Sequence, residues 1–75
     1  MAKHHRALTA LGRNIREKRV ALGFSQQLLA RKSRLGRSYI SDIERGIHDP
    51  SLLCVRRIAK GLGSSTAALL EGFDR

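Results

Sequence analysis

Residues 25–46 of this 75-residue chain, SQQLLARKSRLGRSYISDIERG, hold the side chains best suited to chemistry. That chemistry is hydrogen bonding rather than catalysis. Arg37 offers a planar fork of donors that matches the O6 and N7 acceptors of guanine, with a phosphate contact as its plainer use. Ser38 and Ser41 are short hydroxyls able to meet bases or phosphates, and Asp42 can accept from a cytosine amino group or steer a neighbouring arginine. Tyr39 and Arg45 can bond phosphate oxygens. The catalytic alternatives fail on geometry. Asp42 and Glu44 are two apart and diverge on a helix, and the adjacent His4 and His5 do not face one another. Cys54 has no evident base beside it and reads as a small packing residue. Neither metal-ligand spacing nor a glycine-rich phosphate loop occurs. No enzyme, metal, cofactor or small-molecule ligand is expected.

The charge distribution agrees with that reading. The chain carries 15 Lys plus Arg against 6 Asp plus Glu, a formal net charge of +9. Residues 1–39 hold ten of the basic groups and a single acid, Glu17, whereas residues 40–75 hold five of each sign. A solubility surface normally mixes both signs, so the one-sided half suggests a polyanion partner. At 41% apolar the chain is rich enough for a core, which argues against a disordered basic tail. No apolar run approaches the ~20 residues that span a bilayer, and MAKHHRAL lacks the apolar stretch of a secretory signal. The lone Cys54 cannot form an internal disulfide, which fits a reducing, cytoplasmic compartment.

These side chains need elements to hold them, and the spacing predicts helices throughout. Leu8, Leu11, Ile15 and Leu22 give a first helix over 6–22 that Gly23 stops. Ser25 caps a second from Gln26 to Lys32, and Gly36, a weaker cap, opens a third from Arg37 to Arg45 that Gly46 ends. Pro50 forces a tight connection before a fourth helix, Ser51–Leu62, with Leu52, Val55, Ile58, Ala59 and Leu62 buried. Ser65 caps a fifth, Thr66 to Glu71, carrying Leu69 and Leu70. Residues 1–75 thus read as one all-α domain, a compact five-helix bundle with residues 1–5 frayed.

Two short helices about three residues apart form a helix-turn-helix over 25–46, the geometry that lays a second helix in the DNA major groove. Leu29, Ala30, Leu35, Ile40 and Ile43 take the inward positions, and the small Ala30 lets the two helices cross closely. Arg37, Ser38, Ser41 and Asp42 are left on the outward N-terminal part of the reading helix.

The chain resembles the Cro/phage-repressor (XRE-like) helix-turn-helix family. The resemblance rests on Leu22-Gly23-Phe24-Ser25-Gln26, Leu29-Ala30, Tyr39-Ile40-Ser41, Ile43-Glu44-Arg45-Gly46, Pro50-Ser51-Leu52 and Ile58-Ala59-Lys60 with Leu62-Gly63, and it covers residues 8–71. The single-domain format and RSYISDIERG are similar to restriction–modification controller proteins. The resemblance implies a lambda-repressor-like fold and a homodimeric transcriptional regulator on a two-fold operator of double-stranded DNA. It also implies that Gln26 clamps a phosphate at a helix N-terminus, that Glu44 pairs with Arg19 as scaffold, and that His48 meets the backbone or a base edge. Arg13, Arg16, Arg31, Lys32 and Arg34 would supply the sequence-independent field. The expected dimer contact uses the last helix and tail, with Leu69, Leu70 and Phe73, and Leu53 in reserve. Two departures stand out. Arg34 occupies a turn position usually given to Gly or Asn, and Leu28 replaces the Glu of a capping box. Two rival readings stay open, an antitoxin that also holds a toxin and a protein-interaction adaptor that does not read DNA.

Overall fold

Short side chains at the helix starts set the architecture. The structure, a computed structural model, describes residues 5–74, and in it the His5 imidazole accepts from the Ala7 amide to cap α1 (Arg6–Ala21). Ser25 accepts from Leu28 to cap α2 (Gln26–Ser33). Gly36 precedes α3 (Arg37–Glu44) with no side-chain cap. Ser51 accepts from Cys54 to cap α4 (Leu52–Gly61), and Ser65 from Ala68 to cap α5 (Thr66–Leu69). Each such cap satisfies an amide that the helix cannot, at a value of ~1 kcal/mol. The expected boundaries shift by a residue or so, and α5 is a single turn rather than a helix reaching Glu71. Of the expected frayed residues, 1–4 lie outside the described range, while His5 has a defined capping role.

α1, α2 and α4 end on Gly23, Gly63 and, at the α2 stop, Arg34, and α3 ends on Gly46; all four take left-handed backbone angles. Arg34 (φ 58°, ψ 43°) is the only one of them with a side chain. Its turn is closed by the Leu35 amide donating to the Ala30 carbonyl at 2.9 Å. A left-handed non-glycine residue costs roughly 1–2 kcal/mol, so the turn between α2 and α3 stores local strain.

The core unites Leu11, Ile15, Leu29, Ala30, Ile40, Ile43, Val55, Ile58, Ala59, Leu62 and Leu69, with Phe24, Leu35, Tyr39, Leu70 and Phe73 packed at its edge. α2 lies between α3 and α4, and α1 closes against α3 and α5. Two close approaches fix these crossings. A Cβ on Gly12 would collide with the backbone oxygens of Ile43 and Glu44, so α1 is seated directly on the end of α3. A Cβ on Gly61 would sit 2.9 Å from the Ser33 hydroxyl, so small residues on both sides let α4 press on α2.

Three leucines depart from the expected core pattern. Leu52, expected inside, is 69% exposed because it opens α4 and overhangs the core before the Val55–Ile58–Ala59 face begins. Leu22 is 49% exposed, since it lies past the last turn of α1, whose buried face uses Ala7, Ala10, Leu11, Gly12 and Ile15. Leu69, a candidate for the dimer contact with core packing as its plainer reading, is wholly buried and belongs to the core. Among the described residues there is no strand, and no helix is long and apolar enough to cross a membrane.

Candidate nucleic-acid interface

The reading helix is fixed by its buried stripe and by an ion pair. Ile40 and Ile43 anchor α3 in the core, which turns Arg37 and Ser38 fully outward and leaves Ser41 and Asp42 half-buried at the edge of the same face. The Arg19 guanidinium holds Glu44 at the end of α3 through two parallel bonds, Nε to Oε2 at 2.6 Å and Nη2 to Oε1 at 3.0 Å. Its third nitrogen, Nη1, donates to the Phe24 carbonyl at 2.8 Å. Both side chains are largely shielded from water, at 12% and 3% exposure. A bidentate pair of this kind fixes orientation as well as distance. It clamps α1, the loop before α2, and α3 into one frame.

Gln26 joins that frame, because its Nε2 donates to Glu44 Oε1 at 3.0 Å. The amide keeps a second hydrogen for an outside acceptor, and Gln26 stands at the first position of α2, where free backbone amides face outward. Asp42 accepts from Arg45 Nη2 at 2.6 Å across one turn. The pair is exposed, so it orients Arg45 without adding much stability.

Tyr39, a candidate for the DNA backbone, is half-buried on α3. It packs at the core edge and meets the His48 ring edge-on, with centroids 4.5 Å apart and planes at 65°. Its hydroxyl is drawn to Cys54, and that hydrogen bond together with burial pushes the phenol up to about 12 from the usual 10.0. The Cys54 thiol is correspondingly lowered, first by its bond with Ser51 and then by that with Tyr39. Tyr39 is therefore a strut that sets His48, on the loop after α3, beside the reading helix.

Arg37, Ser38, Ser41, Asp42, Arg45, His48 and Gln26 thus fall on α3 and its flanks. Leu70 and Phe73 lie elsewhere, in a depression of about 180 Å³ shared with Leu8, Leu11, Asp49, Pro50, Leu52 and Val55. Leu53 lines a different part of the surface, with Arg56, Arg57 and Lys60. Sequence reasoning overlooked Asn14, whose amide donates to the Leu69 and Glu71 carbonyls at 2.9 and 2.8 Å and ties the chain end to α1. A lone uncharged amide in a helix of charged and apolar residues was the available signal. It also overlooked Gly12, although a mid-helix glycine costs ~1 kcal/mol and so marks a close approach.

Residues 15–69 match a family model described as helix-turn-helix, HTH_3. The chain is 41% identical over 61 residues to the control protein C.BamHI of Bacillus amyloliquefaciens, covering 80% of this chain and 75% of that one. It is 37% identical over 60 residues to the immunity repressor protein of Bacillus phage phi105, covering 80% of this chain and only 42% of that protein. Among solved structures, the restriction-modification controller protein C.AhdI from Aeromonas hydrophila superposes with a TM-score of 0.84 at 37% identity, covering 87% of this chain and 98% of that one. The controller protein C.Esp1396I gives 0.83 at 32%, covering 95% and 92%.

Proposed function

Since the chain belongs to the HTH_3 helix-turn-helix family and is thereby a DNA-binding transcriptional regulator rather than an enzyme, we propose that it reads one specific operator as a homodimer, in the manner of a restriction–modification controller. The observation that carries this reading is the solvent-facing N-terminal half of α3, bearing Arg37 and Ser38, on a helix clamped by Arg19, Glu44 and Gln26. Arg37 donates two bonds to a guanine, the commonest specific contact in the major groove. Ser38 and Ser41 reach adjoining base edges or phosphates. Asp42 holds Arg45 against a phosphate, and Gln26 gives its spare hydrogen to another beside the α2 N-terminus. His48, set by Tyr39, meets the backbone at the edge of the groove.

One reading helix covers only a few base pairs, so specificity calls for two half-sites about 34 Å apart. A second copy of the chain would supply the other. Leu52, 69% exposed, forms the rim of the depression that it lines with Leu8, Pro50, Leu70 and Phe73. A two-fold contact would let each Leu52 enter the other copy's depression, and Asn14 keeps the Leu70–Phe73 wall in place. The likeness to controller proteins over nearly the full length of C.AhdI supports this reading over a toxin-bound or adaptor role.

Selection of bound duplexes from random DNA tests it. The expected product is a two-fold or near-two-fold site with centres one or more helical turns apart, bound by a dimer in sedimentation. Recovery of no preferred sequence would overturn the proposal, as would monomers that stay single on a selected site.

A further inference from the structure

The outer face of α4 and the end of α2 form a second charged surface. Leu53, Arg56, Arg57 and Lys60 line one shallow depression of about 310 Å³. Arg57 and Lys60 also wall an adjoining one of about 340 Å³, completed by Lys32, Ser33 and Arg34. Positions 53, 56, 57 and 60 are spaced as one stripe of a helix, so the two depressions run together as a channel along α4. Its rim carries five cations and no carboxylate. Among the described residues, none of the five is in a salt bridge. Lys32 is partly occupied, with its ammonium 5.2 Å from the centre of the Phe24 ring, which leaves Arg34, Arg56, Arg57 and Lys60 facing outward.

Lys32 and Arg34, at its α2 end, were also expected in the field that draws DNA in, but two features separate the α4 part of this channel from the surface assigned to DNA. First, α4 packs on α2 and α5, whereas the reading residues sit on α3. Lys32 lies six residues beyond Gln26, ~9 Å further along the α2 axis. Second, the channel starts at Leu53, which is 69% exposed. A phosphate backbone gains nothing from covering a leucine, whereas an apolar side chain on a protein segment does. Arg34 adds its guanidinium to this rim from a left-handed turn position.

We propose that this channel docks an acidic, leucine-bearing helical segment of a partner protein, with carboxylates against Arg34, Arg56, Arg57 and Lys60 and an apolar side chain against Leu53. Charge complementarity names the partner's chemistry, and Leu53 distinguishes it from nucleic acid. The surface stays open while α3 lies on DNA, so a regulator seated on its operator holds out a cationic groove to a second protein.

The test uses an amphipathic helical peptide bearing Glu and Leu, its Leu-to-Ser counterpart, and the isotope-labelled full chain bound to its selected operator, followed by amide chemical shifts. Expected is peptide binding that moves residues 32–34 and 53–60 without releasing the duplex. Arg57→Glu with Lys60→Glu should weaken it on the order of tenfold. Leu53→Ser should weaken it several-fold and leave operator affinity unchanged. Equal binding of the Leu-to-Ser peptide would overturn the proposal, as would displacement of the duplex by the peptide. So would an operator footprint over residues 53–60, which would make the channel a DNA surface. Failure of the peptide to bind an intact operator complex refutes the channel alone and leaves the DNA reading standing.

Discussion

Removing the Glu44 carboxylate should cost this fold more than any surface change. In Glu44→Leu the Arg19 guanidinium, 12% exposed, loses both of its charged acceptors and keeps only the Phe24 carbonyl. The Gln26 amide loses its acceptor too. Breaking one member of a buried pair typically costs about 3–5 kcal/mol, because an uncompensated charge stays behind. At about 0.05–0.15 kcal/mol per residue, the 75 residues hold roughly 4–11 kcal/mol in all. The variant should therefore stand near its limit, with its midpoint lowered on the order of 20 °C. Arg19→Met should lose a comparable amount. The double variant should regain most of it, since an apolar pair needs no charged partner. It should fall short of wild type by about 1–2 kcal/mol, because the Phe24 carbonyl has lost its donor and the Gln26 amide its acceptor. Urea denaturation followed by circular dichroism measures all three. Single-variant losses below about 1 kcal/mol, the range of exposed pairs, would refute the claim that this pair frames α3. So would a double variant as poor as the two singles combined.

Further outcomes follow from the close contacts. Gly12→Ala should destabilise by about 1–3 kcal/mol through collision with the Ile43 and Glu44 oxygens; a neutral result in denaturation would show that α1 can back away from α3. Arg34→Asn should stabilise by roughly 0.5–1 kcal/mol, because Asn tolerates the left-handed angle better, and a loss of stability would show that the turn stores no strain. Tyr39, the single tyrosine, should ionise at about 12 in an absorbance titration and move back toward 10.0 in Cys54→Ala. A phenol proton held more tightly in the folded state stabilises it below the ordinary phenol value, and that contribution is lost as pH rises through about 12. An unchanged Tyr39 titration in Cys54→Ala would exclude the thiol as its partner.

The helices were legible because their punctuation is local. Ser25 and Ser65 cap, and Gly23, Gly46 and Gly63 stop, from properties of single residues and their neighbours. The inward faces of α2 and α3 were equally plain from periodicity, as Leu29, Ala30, Ile40 and Ile43 occupy the core. What escaped depends on where an element ends relative to its neighbours. Leu52 has core spacing but begins its helix, so nothing covers it. Leu69 and Leu70 are adjacent, and only the seat of the one-turn α5 against α1 decides that the first is sealed and the second lines a depression. Tyr39 packs at the core edge, where its ring meets His48 on the loop beyond α3 and its phenol is raised by Cys54 on α4. No periodicity encodes such a contact. Gly12 and Asn14 were visible as anomalies, yet their partners lie on α3 and at the end of α5, known only once the helices are placed.

If α3 reads bases, Arg37 is its principal reader. Competition binding of wild type and Arg37→Ala to the selected operator and to a scrambled duplex, at one fixed salt concentration, tests it most directly. Expected are a loss of about 1–3 kcal/mol on the operator, relaxed preference at a single base position, and little change on the scrambled duplex. Equal losses on both duplexes, with base preference intact, would contradict that role and make Arg37 one more phosphate contact.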